Sequence, residues 1–217
     1  MHDICANQGI DFETQIITKN LCMVLDYNFF EPDVRLEPKK GRVLISEPFL
    51  MDNYFKRSIV LLTEHNDEGS IGFVLNKPID IPINEVIDNF PAIEADIALG
   101  GPVNTSSLHY IHTLGDIIPN SIPVLGNIFW GGDFEVVERL ISSGNLNKGQ
   151  IRFFLGYSGW SPNQLDDELA ENTWVVSEID ADEVMMPINK HFWKKTLRRM
   201  GSKYEMWSNF PENPEMN

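Results

Sequence analysis

The chain reads as an α/β domain built on a mixed sheet, and three observations carry that reading. β-branched and aliphatic runs at Ile59 to Thr63 and Ile71 to Leu75 flank a polar segment, His65 to Ser70, and form a hairpin. After the hairpin, strand-like and helix-like stretches alternate irregularly, which favours a mixed sheet over a doubly wound parallel one. Finally, 42% hydrophobic and 23% charged residues in a chain of 217 suit one globular domain with a sizeable core.

Residues 1–38 read as an N-terminal extension and lead-in, partly flexible, with Pro32 and Pro38 favouring an extended connector. The domain proper takes up residues 39–217. Arg42 to Ile45 is a short strand leading into the hairpin, and Lys77-Pro78 ends the second hairpin strand. Apolar residues at 83, 86, 87 and 90 give the i, i+3, i+4, i+7 face of a helix from Pro82 to Phe90, closed by Pro91. Ile97 to Leu99 and Leu108 to Thr113 are short strands on either side of Gly100-Gly101-Pro102, which marks a tight turn or a close backbone approach. Gly126 to Trp130 leads into another strand. Asp133 caps a helix with Val136, Val137, Leu140 and Ile141 on one face, and Gly144 stands as its C′ stop.

Ile151 to Leu155 is a buried-strand run. Ser161-Pro162-Asn163-Gln164 reads as a helix start, with Ser161 capping, Pro162 in the first helical position and Gln164 placed for a capping box. Thr173 to Ser177 follows as a strand. The last helix, about Asn189 to Met200, carries Phe192, Trp193, Leu197 and Met200 on one side and its cations on the other.

The formal net charge is −15, so the average surface repels phosphate backbones and anionic lipid, and direct DNA binding is disfavoured. One cluster opposes that trend: Lys190, Lys194, Lys195, Arg198, Arg199 and Lys203 follow one another with no acid between them. The remaining 11 basic and 32 acidic residues stand at −21. Cys5 and Cys22 are the only cysteines, without CxxC or mixed Cys/His spacing, which argues against a structural disulfide or zinc. No apolar run reaches the roughly 18 residues of a membrane span, and the first 22 residues lack a charged n-region followed by an apolar h-region. The expected compartment is the cytoplasm.

The block GRVLISEPFLMDNYFKRSIVLLTEHNDEGSIGFVLNKP (41–78) resembles the YqgE/AlgH family of bacterial proteins. The resemblance continues in family order through LGGPV (99–103), LHYIHTLGD (108–116), FWGGDFE (129–135), GYSGWSPNQLDDELAENTW (156–174) and FPENPEMN (210–217). It implies bent, mixed sheets forming a partial barrel flanked by about four to five helices, and a start after residue 22, which makes residues 1–22 an extension. It also implies a label of transcriptional regulator, attached to no established biochemical activity.

Gly156-Tyr157-Ser158-Gly159-Trp160 nearly matches a nucleophile elbow, but that turn needs a small residue where Trp160 stands. The resemblance implies Ala at Ser158 in many relatives, incompatible with an obligatory nucleophile, and a structural turn is the expectation. His109 and His112 are three apart on a strand, so they face opposite sides and cannot chelate one metal together. His65 beside Asn66, Asp67 and Glu68 reads as a solvated turn. No metal site or cofactor is expected: the ligand spacings match no standard pattern, and neither a Walker A nor a Gly-x-Gly-x-x-Gly motif is present. Gly131-Gly132-Asp133 precedes a helix, but the capping Asp133 would take the donors an anion needs.

Polar and aromatic groups at element ends point to a cleft lined by Arg57, His65, Asn76, Lys77, Tyr157, Trp160 and Gln164, since such places carry function more often than element interiors. The expectation is a non-enzymatic protein that binds an unknown protein or small-molecule ligand. The alternative is a small hydrolase with a cleft near Ser158 and His65. The basic patch Lys190, Lys194, Lys195, Arg198 and Arg199 reads first as a solvated face that complements the helix C-terminal dipole.

Overall fold

The computed structural model describes residues 29–81, 83–86, 90, 93, 95 and 97–211. The chain divides into two units at Asp33, and the second, from Val34 onward, holds every strand among the described residues. Its strands are β1 (Val43–Ser46), β2 (Ile59–Asn66), β3 (Gly69–Val74), β4 (Ile97–Leu99), β5 (Val103–His112), β6 (Ile122–Leu125), β7 (Ile128–Trp130), β8 (Ile151–Trp160) and β9 (Trp174–Ser177). Its helices are α1 (Ile83–Val86), α2 (Phe134–Ser142), α3 (Gln164–Ala170), α4 (Ala181–Val184), α5 (Phe192–Arg199) and α6 (Ser202–Asn209).

The strands form one mixed sheet in the order β6, β7, β5, β8, β3, β2, β1, β9, with β4 beside β8. Neighbours are antiparallel except β4, which runs parallel to β8. The two end strands do not pair, so the sheet is open and not closed into a barrel. Hydrophobic side chains cover it in separate layers. One packs α2 through Val137 and Ile141 onto Ile97, Tyr110, Ile118 and Phe153. Another packs α3 through Leu165 onto Leu44, Val60, Leu62, Val74, Trp160, Trp174 and Val176. Each such side chain contributes about 1.5–3 kcal/mol on burial, so these layers are the main favourable term.

β8 holds the two halves of the sheet together. Phe153 to Leu155 lie between β4 and β5, whereas Ser158 to Trp160 pair with β3. Gly100 marks the handover: its N–H donates to Leu155 O at 2.8 Å, and its carbonyl accepts from Val74 N at 2.9 Å and from Ser158 Oγ at 3.0 Å. A side chain has no room there, since a Cβ on Gly100 would lie 2.2 Å from Gly156 O. Gly156 itself sits at φ +66, and its own Cβ would fall 2.8 Å from Val103 O. The close backbone approach expected at Gly100 is therefore made across the sheet to β8.

Several sequence expectations need correction. Gly156 to Trp160 is not a turn; it continues β8, kinked at Gly156, because β3 supplies hydrogen-bond partners there. The hairpin turn is confined to Asp67 and Glu68, with His65 and Ser70 paired across the strands. α3 begins at Gln164 after a left-handed Asn163 (φ 65), so Ser161 does not cap it, although Gln164 Oε1 does accept from Ser161 N at 3.1 Å. α5 is shorter than the expected last helix, and α6 follows it after Gly201. α1 covers part of the expected Pro82–Phe90 helix, and residues 87–89 lie outside the described residues. Asp133 caps α2 as expected, accepting from Glu135 N at 3.1 Å, and Gly144 follows its C-cap at φ +69.

Gly156→Ala and Gly144→Ala separate the two roles of a left-handed glycine. Both positions have φ near +66 to +69, but nothing lies within 4 Å of a Cβ at Gly144. Gly144→Ala is expected to cost about 1–2 kcal/mol, and Gly156→Ala at least about 3 kcal/mol, in urea-unfolding free energy. Equal losses would remove the steric role assigned to Gly156.

Candidate functional site

The seven cleft residues fall in three places. Arg57, Asn76 and Lys77 meet where β2 begins and β3 ends. Asn76, 2% exposed, accepts from Ile59 N at 2.9 Å and donates to Arg57 O at 2.8 Å, while Lys77 Nζ donates to Lys56 O at 2.6 Å. Arg57, itself left-handed at φ 51, lays its guanidinium over the Trp193 ring at 5.1 Å and donates to Phe210 O at 2.5 Å. This set ties the loop before β2 to the C-terminal helices. His65, Trp160 and Gln164 lie at the opposite end of the hairpin, about 20 Å away by strand rise. Tyr157 lies on β8, with its ring edge-on to His109 at 5.5 Å.

Trp160 and Gln164 converge on a carboxylate that the sequence reading passed over. Glu168 Oε2 accepts from Trp160 Nε1 at 2.9 Å and from Trp174 Nε1 at 2.7 Å, and its Oε1 accepts from Gln164 Nε2 at 3.0 Å. One carboxylate thus joins β8, α3 and β9. The signal was present as an i, i+4 pair, Gln164 and Glu168, between two tryptophans.

A nucleophile needs its proton aimed at a base, and the Ser–His contacts of β5 run the other way. His112 is fully buried, and its Nδ1 accepts from Leu114 N at 3.1 Å, so Nε2 carries the proton and donates to Gly131 O at 2.8 Å. Ser121 Oγ, 3.2 Å from Nε2, gives its own proton to Ile118 O at 2.6 Å. Ser107 Oγ likewise donates to Asn104 O at 2.8 Å and receives His109 Nε2–H at 2.9 Å. His109 thus donates to serine and His112 spends its one N–H on a backbone carbonyl, so neither imidazole is placed to take a serine proton as a general base does. Burial lowers the pKa of both histidines, opposed at His112 by the bond to Gly131. Tyr110, pushed up to about 12 by burial and then by the charge of Asp133, stays neutral and donates to Gly132 O at 2.8 Å. Ser158 is fully buried, with its proton on Gly100 O.

The hairpin tip is different. His65 Nδ1 meets Ser70 Oγ at 2.8 Å, and neither atom has another partner among the described residues. Gly69 packs so close to Trp160 that a Cβ would lie 2.2 Å from its carbonyl, which brings the tip against the β8–α3 turn. Between them is a hollow of about 330 Å³ lined by His65, Asn66, Asp67, Gly69, Ser70, Ser161, Asn163, Leu165 and Asp166. The side chains of Asp67, Ser161, Asn163 and Asp166 make no hydrogen bond or ion pair among the described residues. Ser70, 4% exposed, and Leu165, 2% exposed, are its buried members. Sequence reasoning found His65 but not Asn163 or Asp166, because their approach depends on β3 pairing with β8.

The basic patch is spread over one side of α5. Trp193 and Leu197 are buried, Trp193 Nε1 donates to Ser46 O at 3.0 Å, and Arg199 forms an ion pair with Glu183. Lys190, Lys195 and Arg198 are exposed.

An open mixed sheet with these motifs defines a bacterial α/β family. The profile described as AlgH-like matches residues 43–205, so the chain belongs to this family, the YqgE/AlgH family that its motifs resemble. A UPF0301 protein of Bacteroides fragilis is 47% identical over 182 residues, covering 83% of this chain and 92% of that protein. A UPF0301 protein of Chlorobaculum parvum is 42% identical over 179 residues, covering 82% and 96%. The solution structure of the AlgH protein from Pseudomonas aeruginosa matches with a TM-score of 0.64 at 25% identity, over 82% of this chain and 98% of that one. The crystal structure of a Corynebacterium diphtheriae protein, DIP2367, shares the fold, with a TM-score of 0.68 at 24% identity over 84% and 98%. No helix among the described residues is long and apolar enough to cross a membrane.

Two predictions test the polar locks. Glu168→Ala leaves both indole N–H groups without their acceptor and is expected to cost about 2 kcal/mol or more, with Glu168→Gln milder, in urea unfolding followed by tryptophan fluorescence. His112 has a folded pKa below its unfolded value of about 6.5, so its contribution is complete above that pH and is lost as pH falls toward the folded pKa. The urea midpoint of wild type is expected to fall more steeply between about pH 7 and 5 than that of His112→Gln.

Proposed function

We propose that this protein is a non-enzymatic binding protein whose recognition site is the hollow at the hairpin tip. The observation that carries this is the contrast in polar groups. Asn76, Arg57, Lys77, Glu168 and His112 are engaged in holding backbone and indoles, while the hollow collects side chains with unused hydrogen-bonding capacity. Asp67 and Asp166 have no cation paired with them among the described residues, which favours a ligand or partner side chain carrying an amine. The regulatory role suggested by the family label fits a protein that responds to such a ligand and acts on another protein. Reading DNA directly fits poorly with a net charge of −15. We place its action in the cytoplasm, in keeping with two cysteines that have no pairing pattern.

The hydrolase reading is supported only by the His65–Ser70 contact, where the serine proton is free to go to the imidazole. It is weakened by the burial of Ser158 and by the donor roles of His109 and His112.

The test is a chemical-shift titration of the full chain with 1,4-diaminobutane and, separately, with succinate. The diamine is expected to shift amides at His65 to Ser70 and Ser161 to Asp166, and Asp166→Asn to weaken binding by about tenfold, or 1.4 kcal/mol. Shifts elsewhere, or an equal response to succinate, would sink the proposal.

A further inference from the structure

α5 is anchored from one side and carries its cations on the other. Trp193 and Leu197 hold it to the domain. The side chains of Lys194, Lys195 and Arg198, and that of Lys190 just ahead of the helix, make no hydrogen bond or ion pair among the described residues. Arg199 shows that an acid can reach this helix, since Glu183 pairs with it, yet its neighbours lack the same. In a chain with 32 acidic residues, four cations this close in sequence that meet no acid among the described residues form a local positive spot in an otherwise anionic field.

We propose that this face of α5 docks a short acidic segment of a partner protein. Size distinguishes that partner from nucleic acid. The stretch from Lys190, ahead of α5, to Arg198 corresponds to about 12 Å at helical rise, the span of roughly four extended residues. A duplex carries one charge per about 1.7 Å and continues beyond any such footprint, here onto a chain whose charge outside the basic cluster is −21. Screening confines the attraction to about 8 Å at physiological salt, so a segment that ends with the patch gains from the cations without meeting the surrounding acids.

Fluorescence anisotropy of labelled hexaglutamate with the full chain tests this, with a labelled duplex of about 20 base pairs as the competing class. Expected are peptide binding at about 50 mM salt, at least about tenfold weakening at about 300 mM, and at least about tenfold weakening in Lys194→Glu/Arg198→Glu. Lys148→Glu, a charge reversal elsewhere, is expected to bind within about twofold of wild type. If the reversal pair does not give a native melting transition, Lys194→Gln/Arg198→Gln decides, with a loss of at least about threefold expected. The proposal is overturned by absent peptide binding at the lower salt, by an equal loss in Lys148→Glu, by no loss in the neutral pair, or by duplex binding tighter than peptide.

Discussion

The fold depends on a backbone-to-backbone contact that only glycine permits. At Gly100 and Gly156 two chain segments come so close that a methyl group on either would fall within 3 Å of a carbonyl oxygen. That approach lets β4 leave the side of β8 where β3 joins it, and it lets the Gly100 carbonyl serve both Val74 and Ser158. Without the handover, β8 could complete only one half of the sheet, and each half would expose an edge of unpaired amides.

The polar residues that stand out in the motifs mostly solve problems created by this architecture. A sheet covered by short helices leaves indole N–H groups and loop amides half-buried, where an unmade hydrogen bond costs about 1–3 kcal/mol. Glu168 answers two tryptophans at once, Asn76 closes the loop before β2, and His112 is locked in one tautomer between two backbone groups. Residues that look chemical in the sequence are therefore engaged in holding the scaffold, and the same accounting makes the unengaged hollow at the hairpin tip and the bare face of α5 conspicuous.

Elements with strong local signals were legible. The hairpin, the Asp133 cap and the Gly144 stop each rest on residues close together in sequence, where one chemical rule decides. β6 was missed because Pro123 reads as a breaker, yet an end strand tolerates proline. α6 was missed because Tyr204 and Trp207 are its only buried large apolar residues and Met206 is exposed, which leaves a weak period. The glycines of 156 and 159 suggested a turn, since nothing local announces that β3 will pair there. The candidate cleft mixed residues from both ends of the hairpin for the same reason: element ends can be read from sequence, but which ends meet is decided by register.

The pairing of β1 with β9 has a kinetic consequence. Val43 to Ser46 bond to Trp174 to Ser177, partners about 130 residues apart, while β5 and β8 find each other across far shorter loops. Closing so long a loop costs entropy before any contact rewards it, so the half built on β5 and β8 is favoured to condense first and β9 to arrive last. Until then the outer flank of β1 remains an unprotected template, and the refolding chain is most prone to associate with its own copies in that interval.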